Sequence, residues 1–317
     1  MEKALKGRII KGVGGLYTVR ATSGSDQNQI RCRARGAFRH NGLTPLPGDV
    51  VLVSYDSDSH SDDAKYVINE IVARKNSLIR PPMANLDFLF VTMAAAAPSP
   101  VLSTVDKLIS IAEHNKIIPV IVITKCELDT QKATELFGIY SKCGFDCFML
   151  SAKEDIGISP IDEFIRKNLP THTAAFAGAS GIGKSTLLNR LFPELSLDTS
   201  EISRKIERGR HTTREVVLFP LSDSDDCGYI ADTPGFSMLD FKRFDFFEKD
   251  DLVNTMREFA PYTGDCRYTK CSHTKEQGCA VLQAVKNGDI PSSRHASYVE
   301  LYDILKSRNK WDKPTER

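Results

Sequence analysis

The chain has 317 residues, a formal net charge of +1 and 41% hydrophobic residues, so it is long enough for several domains of ordinary composition. These values exclude a uniformly basic nucleic-acid coat and a wholly disordered chain. Eight cysteines without an apolar N-terminal signal segment favour reduced thiols or metal ligands in a cytoplasmic protein. The longest apolar run, residues 88–97, is shorter than the ~20 residues that span a bilayer.

Residues 1–75 alternate short runs of β-formers with turns rich in Gly, Pro, Asn and Asp. The runs at residues 16–20, 29–33 and 49–53 predict strands of a small all-β barrel, which we interpret as an OB-fold. Lysine and arginine outnumber acidic residues in the first fifty positions, which favours RNA binding by this domain. The alternative is that these cations only keep the barrel soluble and its edges unpaired.

Residues 76–240 change to apolar strands that alternate with helical segments, which predicts an α/β domain with a parallel sheet. Pro81 and Pro82 are interpreted as the linker that leads into it. The predicted strands lie at residues 88–93, 117–123, 147–150, 174–177 and 228–231, and the predicted helices at residues 101–114, at residues 130–142 and from residue 184 onward. Residues 241–317 lack strand patterns and predict a third, mainly helical domain.

Residues 178–185 fit the phosphate-binding pattern G-x-x-x-x-G-K-[ST], between an apolar strand and a helix. Glycines let backbone N–H groups point inward, and the following helix N-terminus adds positive potential for a triphosphate. Lys184 is expected to bridge the β- and γ-phosphates, and Ser185 to bind Mg²⁺. Asp232, which opens an Asp-Thr-Pro-Gly segment, is a second candidate Mg²⁺ residue, and the Gly235 amide is expected to meet the γ-phosphate.

Two further loops follow predicted strands and have the residues of a guanine site. Residues 124–127, Thr-Lys-Cys-Glu, resemble the [NT]-K-x-D motif, in which the carboxylate accepts hydrogen bonds from guanine and the lysine stem packs on the base. Residues 151–153, Ser-Ala-Lys, resemble the loop whose amide reaches guanine O6. Glu127 replaces the usual aspartate and Thr124 the commoner asparagine, so an ATP-using enzyme stays an alternative.

The predicted nucleotide-binding residues therefore come from four loops. They are Thr124, Lys125, Cys126, Glu127, Ser151, Ala152, Lys153, Gly178, Ala179, Ser180, Gly181, Ile182, Gly183, Lys184, Ser185, Thr186, Asp232 and Gly235. The base loops precede the phosphate loop, whereas an ordinary GTPase begins with the phosphate loop. The sequence thus predicts a circularly permuted GTPase domain, which is possible when the original ends lie close together.

A compact cluster of soft ligands lies in the third domain. Three thiolates and one imidazole within fourteen residues suit a closed tetrahedral structural site for one Zn²⁺ ion, without an open position for catalysis. The candidate ligands are Cys266, Cys271, His273 and Cys279. The other five cysteines are scattered and are interpreted as small core residues.

Together these motifs closely resemble the RsgA/YjeQ/YloQ family of GTPases that depend on the small ribosomal subunit. The resemblance spans nearly the whole chain and rests on the permuted order, residues 178–185, residues 209–213 (Gly-Arg-His-Thr-Thr), residues 232–235 and the Cys3His cluster. It implies an OB-fold barrel, a permuted GTPase domain and a zinc domain. It also implies GTP hydrolysis stimulated by the 30S subunit and its rRNA, late in maturation of that subunit.

The resemblance also suggests further catalytic residues. Phe236 stands where many GTPases have a water-orienting glutamine, and His211 is the candidate substitute, although an RNA-contacting histidine is an equal alternative. Thr212 or Thr213 is expected to supply the switch hydroxyl that senses Mg²⁺ and the γ-phosphate. An RNA-binding assembly factor with a structural nucleotide site is the remaining alternative, and a monomer is the default expectation.

Overall fold

The structure is a computed structural model that describes residues 4–22, 29–36, 38, 42–56, 64–193, 216–232, 241 and 246–307, apart from the side chain of Asp232. The chain forms two compact units. The first contains Met1–Phe88, Phe164–Phe176 and Arg204–Gly235, and the second contains Leu89–Glu163, Ala177–Ser203 and Phe236–Arg317. The predicted domain boundaries at residues 75 and 240 stay predictions.

The first unit begins with a five-stranded barrel, which confirms the predicted OB-like fold. Its strands are β1 (Leu5–Val13), β2 (Leu16–Thr22), β3 (Gln29–Ala34), β4 (Val50–Tyr55) and β5 (Tyr66–Ile71). They follow the order β1-β2-β3-β5-β4, and an additional β1–β4 pairing closes the barrel. Closure leaves few unpaired edges, as expected for this fold.

Alternation along the strands explains the barrel core. On β3, Ile30 and Cys32 point inward and are buried, whereas Arg31 and Arg33 are exposed. The inward residues pack with Ile9, Val19, Val51, Val53 and Ile68 of the other strands. Because side chains alternate with period two, one face of each strand fills the core and the other presents cations outward.

Three more strands continue the first unit: β11 (Thr173–Ala177), β12 (Val217–Pro220) and β13 (Tyr229–Asp232). β13 lies between β11, which is parallel to it, and β12, which is antiparallel. The sequence did not predict β12. It is a short strand that joins the barrel to this sheet, since Val217 pairs with Lys11 of β1 and with Asp232 of β13.

Two arginines of the barrel also contact this sheet. Arg20 is buried, and its guanidinium donates to Cys227 Sγ at 2.7 Å and to the Ser222 carbonyl at 3.0 Å. Arg8 donates to Thr173 Oγ1 at 2.9 Å and lies 4.9 Å from the centre of the Tyr229 ring. These cations therefore have partners within the protein and are not part of a free RNA-binding face.

The predicted proline linker is instead part of a small hairpin. Pro81 and Pro82 lie in the turn between β6 (Ser77–Leu78) and β7 (Met83–Ala84). Asn85, just after β7, donates from its side chain to the Gly48 carbonyl at 3.0 Å and accepts from the Lys75 amide at 2.8 Å. These two hydrogen bonds fix the end of the hairpin to the residues that precede β4 and β6. A flexible linker would not have such fixed contacts.

The second unit contains the strands β8 (Phe88–Ala94), β9 (Ile118–Thr124) and β10 (Asp146–Met149), in the order β10-β9-β8. β9 and β10 are parallel, as predicted. β8 is buried throughout and β9 nearly so, which is typical of parallel strands covered on both faces. The accompanying helices are α1 (Leu102–His114), α2 (Thr130–Lys142), α3 (Ile158–Asn168), which runs on into the first unit, and α4 (Lys184–Leu191).

The C-terminal part is helical in its described residues, as predicted. It has 3-10 segments at Lys249–Thr255, Arg257–Phe259 and Thr263–Asp265, followed by α5 (Ala280–Asn287) and α6 (Ser292–Lys306). α5 begins at the Cys279 N-cap, and Gly288 ends it in a left-handed conformation. Within the described ranges, none of the helices has the length and apolar character needed to span a bilayer.

Candidate functional site

The phosphate loop lies between Ala177 and α4, as the motif predicts. Gly178 (φ 145°) passes so close to β8 that a Cβ there would lie 2.2 Å from the Thr92 carbonyl oxygen. Gly183 (φ 93°) is the left-handed residue from which α4 starts. Both positions favour glycine for steric reasons, and the resulting turn directs the N-terminus of α4 toward the loop, which favours anion binding.

Lys184, the first residue of α4, folds back over this loop. Its ammonium donates to the carbonyl oxygens of Gly178 at 2.8 Å and Ala179 at 2.6 Å. Ser185 and Thr186 follow on the first turn, where Ser185 is half-buried and Thr186 exposed. A cation held at the mouth of a loop of amide donors is suited to phosphate oxygens.

Thr124 and Lys125 of the predicted guanine motif are bonded directly to the phosphate loop. Thr124 ends β9, and its hydroxyl donates to the Ile182 carbonyl at 2.5 Å. The Lys125 ammonium donates to the Gly181 carbonyl at 2.7 Å and also contacts the Ala97 carbonyl, in the segment after β8. Thr124, which stands where asparagine is commoner, thus connects the predicted base loop to the phosphate loop.

Glu127 has the feature expected of a base-binding carboxylate. Its Oε2 atom is buried and has no hydrogen-bond partner among the described residues. A buried carboxylate oxygen without a donor is costly, so a ligand N–H at this position would be favourable. The neighbouring Cys126 is buried, and its amide donates to the Leu150 carbonyl at 3.3 Å, which places the next loop beside this one.

The Ser-Ala-Lys loop is closed by its own backbone. Ser151 and Ile156 exchange two hydrogen bonds of 2.9 and 3.0 Å, and the Ser151 hydroxyl accepts from the Glu154 amide at 3.1 Å. Ala152 is half-buried and Lys153 is exposed. Asp155 pairs with Arg190 of α4 at 2.7 Å, a connection that the sequence did not reveal.

The other predicted site residues fall in or next to the part of the chain that the structure does not describe. His211, Thr212 and Thr213 lie outside the described residues, and so does Gly235. The backbone of Asp232 ends β13 in the first unit. The described site therefore consists of the phosphate loop, the two base loops and the segment that carries Ala97.

The predicted metal ligands converge in the C-terminal part of the second unit. The candidate ligand atoms of Cys266, Cys271, His273 and Cys279 all lie within 4.8 Å of one another. His273 Nδ1 is 3.5 Å from the sulfur atoms of Cys266 and Cys279, and these two sulfur atoms are 3.8 Å apart. Such spacings match the edges of a tetrahedral thiolate and imidazole site, so the residues fit a bound metal ion.

Outer contacts hold the loop that carries His273. Burial alone would raise the pKa of Glu276, but hydrogen bonds from the Ser272 hydroxyl and from the amides of Ser272 and Lys275 outweigh it and lower the pKa to about 2. From α6, His295 donates to the His273 carbonyl at 2.8 Å and Tyr298 to the Ser272 carbonyl at 2.9 Å. Outer partners of this kind orient metal ligands.

Comparison with known proteins finds relatives that match nearly the whole chain. Residues 71–242 match the RsgA GTPase family, and residues 6–61 match the RsgA N-terminal domain. The small ribosomal subunit biogenesis GTPase RsgA of Alkaliphilus metalliredigens is 38% identical, over 96% of this chain and 99% of the relative. The protein of that name from Bacillus subtilis is 37% identical, over 96% of this chain and 98% of the relative.

Solved structures show the same relationship. YjeQ from Thermotoga maritima superposes with a TM-score of 0.76 and is 30% identical, covering 97% of this chain and 100% of that one. YloQ, described as a circularly permuted GTPase, gives a TM-score of 0.73 and 33% identity, covering 97% of each chain. With the permuted motif order and the Cys3His cluster, these matches show that the chain belongs to the RsgA family of circularly permuted GTPases.

Proposed function

We propose that this GTPase hydrolyses GTP in response to the small ribosomal subunit and acts in late maturation of that subunit through its rRNA. The observation that carries the proposal is the direct bonding of a guanine-type loop to the phosphate loop, through Thr124 and Lys125. The ribosomal part is supported by the relatives, whose names give them this role. We place the protein in the cytoplasm and expect it to act as a monomer.

Guanine selection is assigned to Glu127. Guanine offers N1–H and an exocyclic amine to a carboxylate, whereas adenine has an acceptor at N1. The buried Glu127 Oε2, which has no partner among the described residues, is suited to receive such a donor. A site built around a hydrogen bond rejects analogues that cannot make it, because its buried group is then left unpaired.

Hydrolysis is assigned to the phosphate loop and to the predicted switch residues. Lys184 and the loop amides would stabilise the charge that develops on the γ-phosphate, since phosphoryl transfer depends mainly on positioning and electrostatics. Ser185 and Asp232, together with Thr212 or Thr213, would hold Mg²⁺, which neutralises phosphate charge when bound. His211 would orient the attacking water.

RNA binding is assigned to the exposed cations of the barrel and to the metal-bearing C-terminal part. Arg31 and Arg33 project from one face of β3, while their neighbours fill the core. The Cys3His cluster would hold one Zn²⁺ ion, since three thiolates and an imidazole are its preferred structural ligands. The ion would fix the loops around it and would take no part in hydrolysis.

A turnover assay with and without purified small subunits tests the proposal. We expect slow intrinsic GTP hydrolysis that rises strongly with small subunits and does not rise with large subunits. Lys184→Ala, which removes the ammonium at the phosphate loop, should lower both rates by orders of magnitude while the circular dichroism spectrum is retained. Competition between ATP and GTP in the same assay tests base selection.

The rival functions give different results. Equal competition by ATP would contradict the guanine assignment and favour an ATP-using enzyme. Release from the subunit that proceeds equally well with a non-hydrolysable GTP analogue would favour an assembly factor with a structural nucleotide site. A lack of stimulation by small subunits would contradict the ribosomal role but not the GTPase activity.

A further inference from the structure

A buried ion cluster joins the C-terminal helices to the helices around the nucleotide site. Arg294 of α6 has a completely buried side chain. Its Nη1 donates to Asp106 Oδ1 of α1 at 2.6 Å, and its Nε donates to Glu258 Oε1 at 2.7 Å. Tyr140 of α2 donates to the same Asp106 oxygen at 3.0 Å. Four chain segments thus meet at one guanidinium, and none of the four residues is a predicted nucleotide or metal ligand.

The charges in this cluster are not balanced. Two carboxylates face one cation, and Asp106 Oδ2 and Glu258 Oε2 are buried without a hydrogen-bond partner among the described residues. Burial alone would lower the pKa of Arg294, but Asp106 and Glu258 outweigh it and hold the pKa well above its usual value. Apolar residues would generally fill such a site at least as stably, so the cluster is better explained by fixing one geometry than by adding stability.

The next residues of α6 contact the metal loop. His295 and Tyr298 donate to the carbonyl groups of His273 and Ser272, and both their rings lie near that of the buried Phe259. A displacement of α6 relative to α1 would therefore displace the carbonyl groups of a metal ligand and its neighbour. The bond from Arg294 to Asp106 is a buried link between α6 and α1.

At its other end, α1 leads directly to the base loop. Residues 98–101 connect its first residue, Leu102, to Ala97, whose carbonyl accepts from the ammonium of Lys125. Lys125 in turn bonds to the Gly181 carbonyl of the phosphate loop. A continuous series of hydrogen bonds and one helix thus connects the nucleotide site to the metal loop.

We propose that Arg294 is a positioning residue that couples the nucleotide site to the metal-bearing C-terminal part. A nucleotide bound at Lys125 and a partner bound near the metal loop then favour the same position of α6 relative to α1. Coupling of this kind is reciprocal, so each ligand changes the affinity for the other by the same factor. The ribosomal partner and the nucleotide contact at Lys125 both rest on the proposed function, but the effect of GDP on the metal loop can be measured without ribosomal subunits.

The test compares the full-length wild type with two variants of the cluster. Arg294→Met alone leaves two buried carboxylates without a cation and is expected to be strongly destabilising. The triple variant Asp106→Asn/Glu258→Gln/Arg294→Met removes every formal charge while keeping similar volumes, and it is expected to fold. Glu300→Gln is the matched control, because Lys107 and Glu300 form a more exposed 2.7 Å pair between the same two helices.

In the isolated protein, hydrogen exchange of residues 266–279 is measured with and without GDP. We expect GDP to slow exchange there in the wild type and in Glu300→Gln, and to have no such effect in the triple variant at equal zinc content and GDP saturation. Absence of the GDP effect in the wild type, or its persistence in the triple variant, would overturn the proposal.

With small subunits, the ratio of GTP-analogue affinities with and without subunit measures the coupling. We expect this ratio to fall by at least about five-fold in the triple variant and to be unchanged in Glu300→Gln. An unchanged ratio in a folded triple variant would contradict the coupling role. If the wild type shows no subunit effect at all, the proposed function fails, and the exchange measurement still decides the role of Arg294.

Discussion

At the scale of single residues, Thr124 connects the end of β9 to the phosphate loop through one hydroxyl. Its bond to the Ile182 carbonyl is short and buried, so Thr124→Val removes this donor, at a cost of about 1–3 kcal/mol. We expect GDP affinity to fall about ten-fold, measured by titration calorimetry. Thr124→Ser should keep most of the affinity. Thr134→Val, which removes only an exposed bond within α2, is the control.

Glu127 gives a prediction of base selectivity. Glu127→Gln replaces one acceptor oxygen by an amide that cannot serve both guanine donors. We therefore expect GDP affinity to fall about 100-fold. The affinity for ADP, which we expect to be weak, should change little. Glu127→Asp should retain a preference for GDP. Parallel loss of both affinities in Glu127→Gln would indicate a folding defect instead of a base contact.

His211 gives a kinetic prediction. If its imidazole orients water, His211→Ala should lower single-turnover hydrolysis on the small subunit by about 100-fold and leave GTP affinity within about two-fold. The arginine before it, Arg210, provides a comparison, since Arg210→Ala should mainly weaken subunit binding. Unchanged turnover in His211→Ala would leave this histidine as an RNA contact.

At the scale of elements, the outward face of β3 carries the exposed Arg31 and Arg33, and we propose that this face binds RNA. Arg31→Glu/Arg33→Glu should weaken binding to small subunits. It should also reduce the slope of log affinity against log salt concentration by about 1.5, because about two phosphate contacts are lost. Filter binding between 50 and 200 mM salt, a range in which such contacts weaken measurably, provides the measurement. Lys132→Glu on α2 combined with Lys167→Glu on α3 makes the same change in net charge and is the control, and an equal loss there would contradict a specific face.

Much of the fold was predictable because its signals are local. The alternation that places Arg31 outside the barrel, the runs that form β8 and β9, and the glycines around Lys184 are all visible within a few residues. β12 has four residues, one of them proline, and only its pairing with Lys11 of β1 and with the four residues of β13 makes it a strand. Tertiary context of this kind leaves no mark in a short sequence window.

The local motifs of the site were likewise predictable, whereas its long-range contacts were not. The Thr124 to Ile182 bond joins residues 58 positions apart, and the Arg294 to Asp106 bond joins residues 188 positions apart. A lone arginine on a polar helix is usually solvated, so its burial could not be read from its neighbours. The metal cluster was predictable because all four of its ligands lie within fourteen residues.

At the scale of the whole molecule, the metal site should affect partner binding more than nucleotide binding. Cys271→Ser is expected to hold less than one zinc ion per chain and to loosen the loops around His273, because structural zinc contributes about 10 kcal/mol or more in small zinc peptides. The contacts of Arg294 with Asp106 and Glu258 lie outside those loops, so nucleotide affinity and the slow intrinsic rate should persist. We expect most of the stimulation by small subunits to be lost.

Metal analysis together with paired turnover assays decides this prediction. Cys147→Ser, in β10 and outside the cluster, is the control and should keep a full zinc content. Full zinc content in Cys271→Ser would refute the ligand set. Intact stimulation in a variant that has lost its zinc would show that the metal-bearing part does not take part in activation.

Val217 imposes a requirement on chain length that is separate from any requirement on residue type. It pairs on one side with Lys11 of the barrel and on the other with Asp232, the predicted magnesium residue. One inserted residue within β12 after Val217 would turn the later side chains of the strand to the opposite face and shift their register against β13. β12 can therefore change in sequence far more readily than in length, and a small insertion or deletion within it would disturb the sheet that joins the barrel to Asp232 even if every predicted functional side chain were kept.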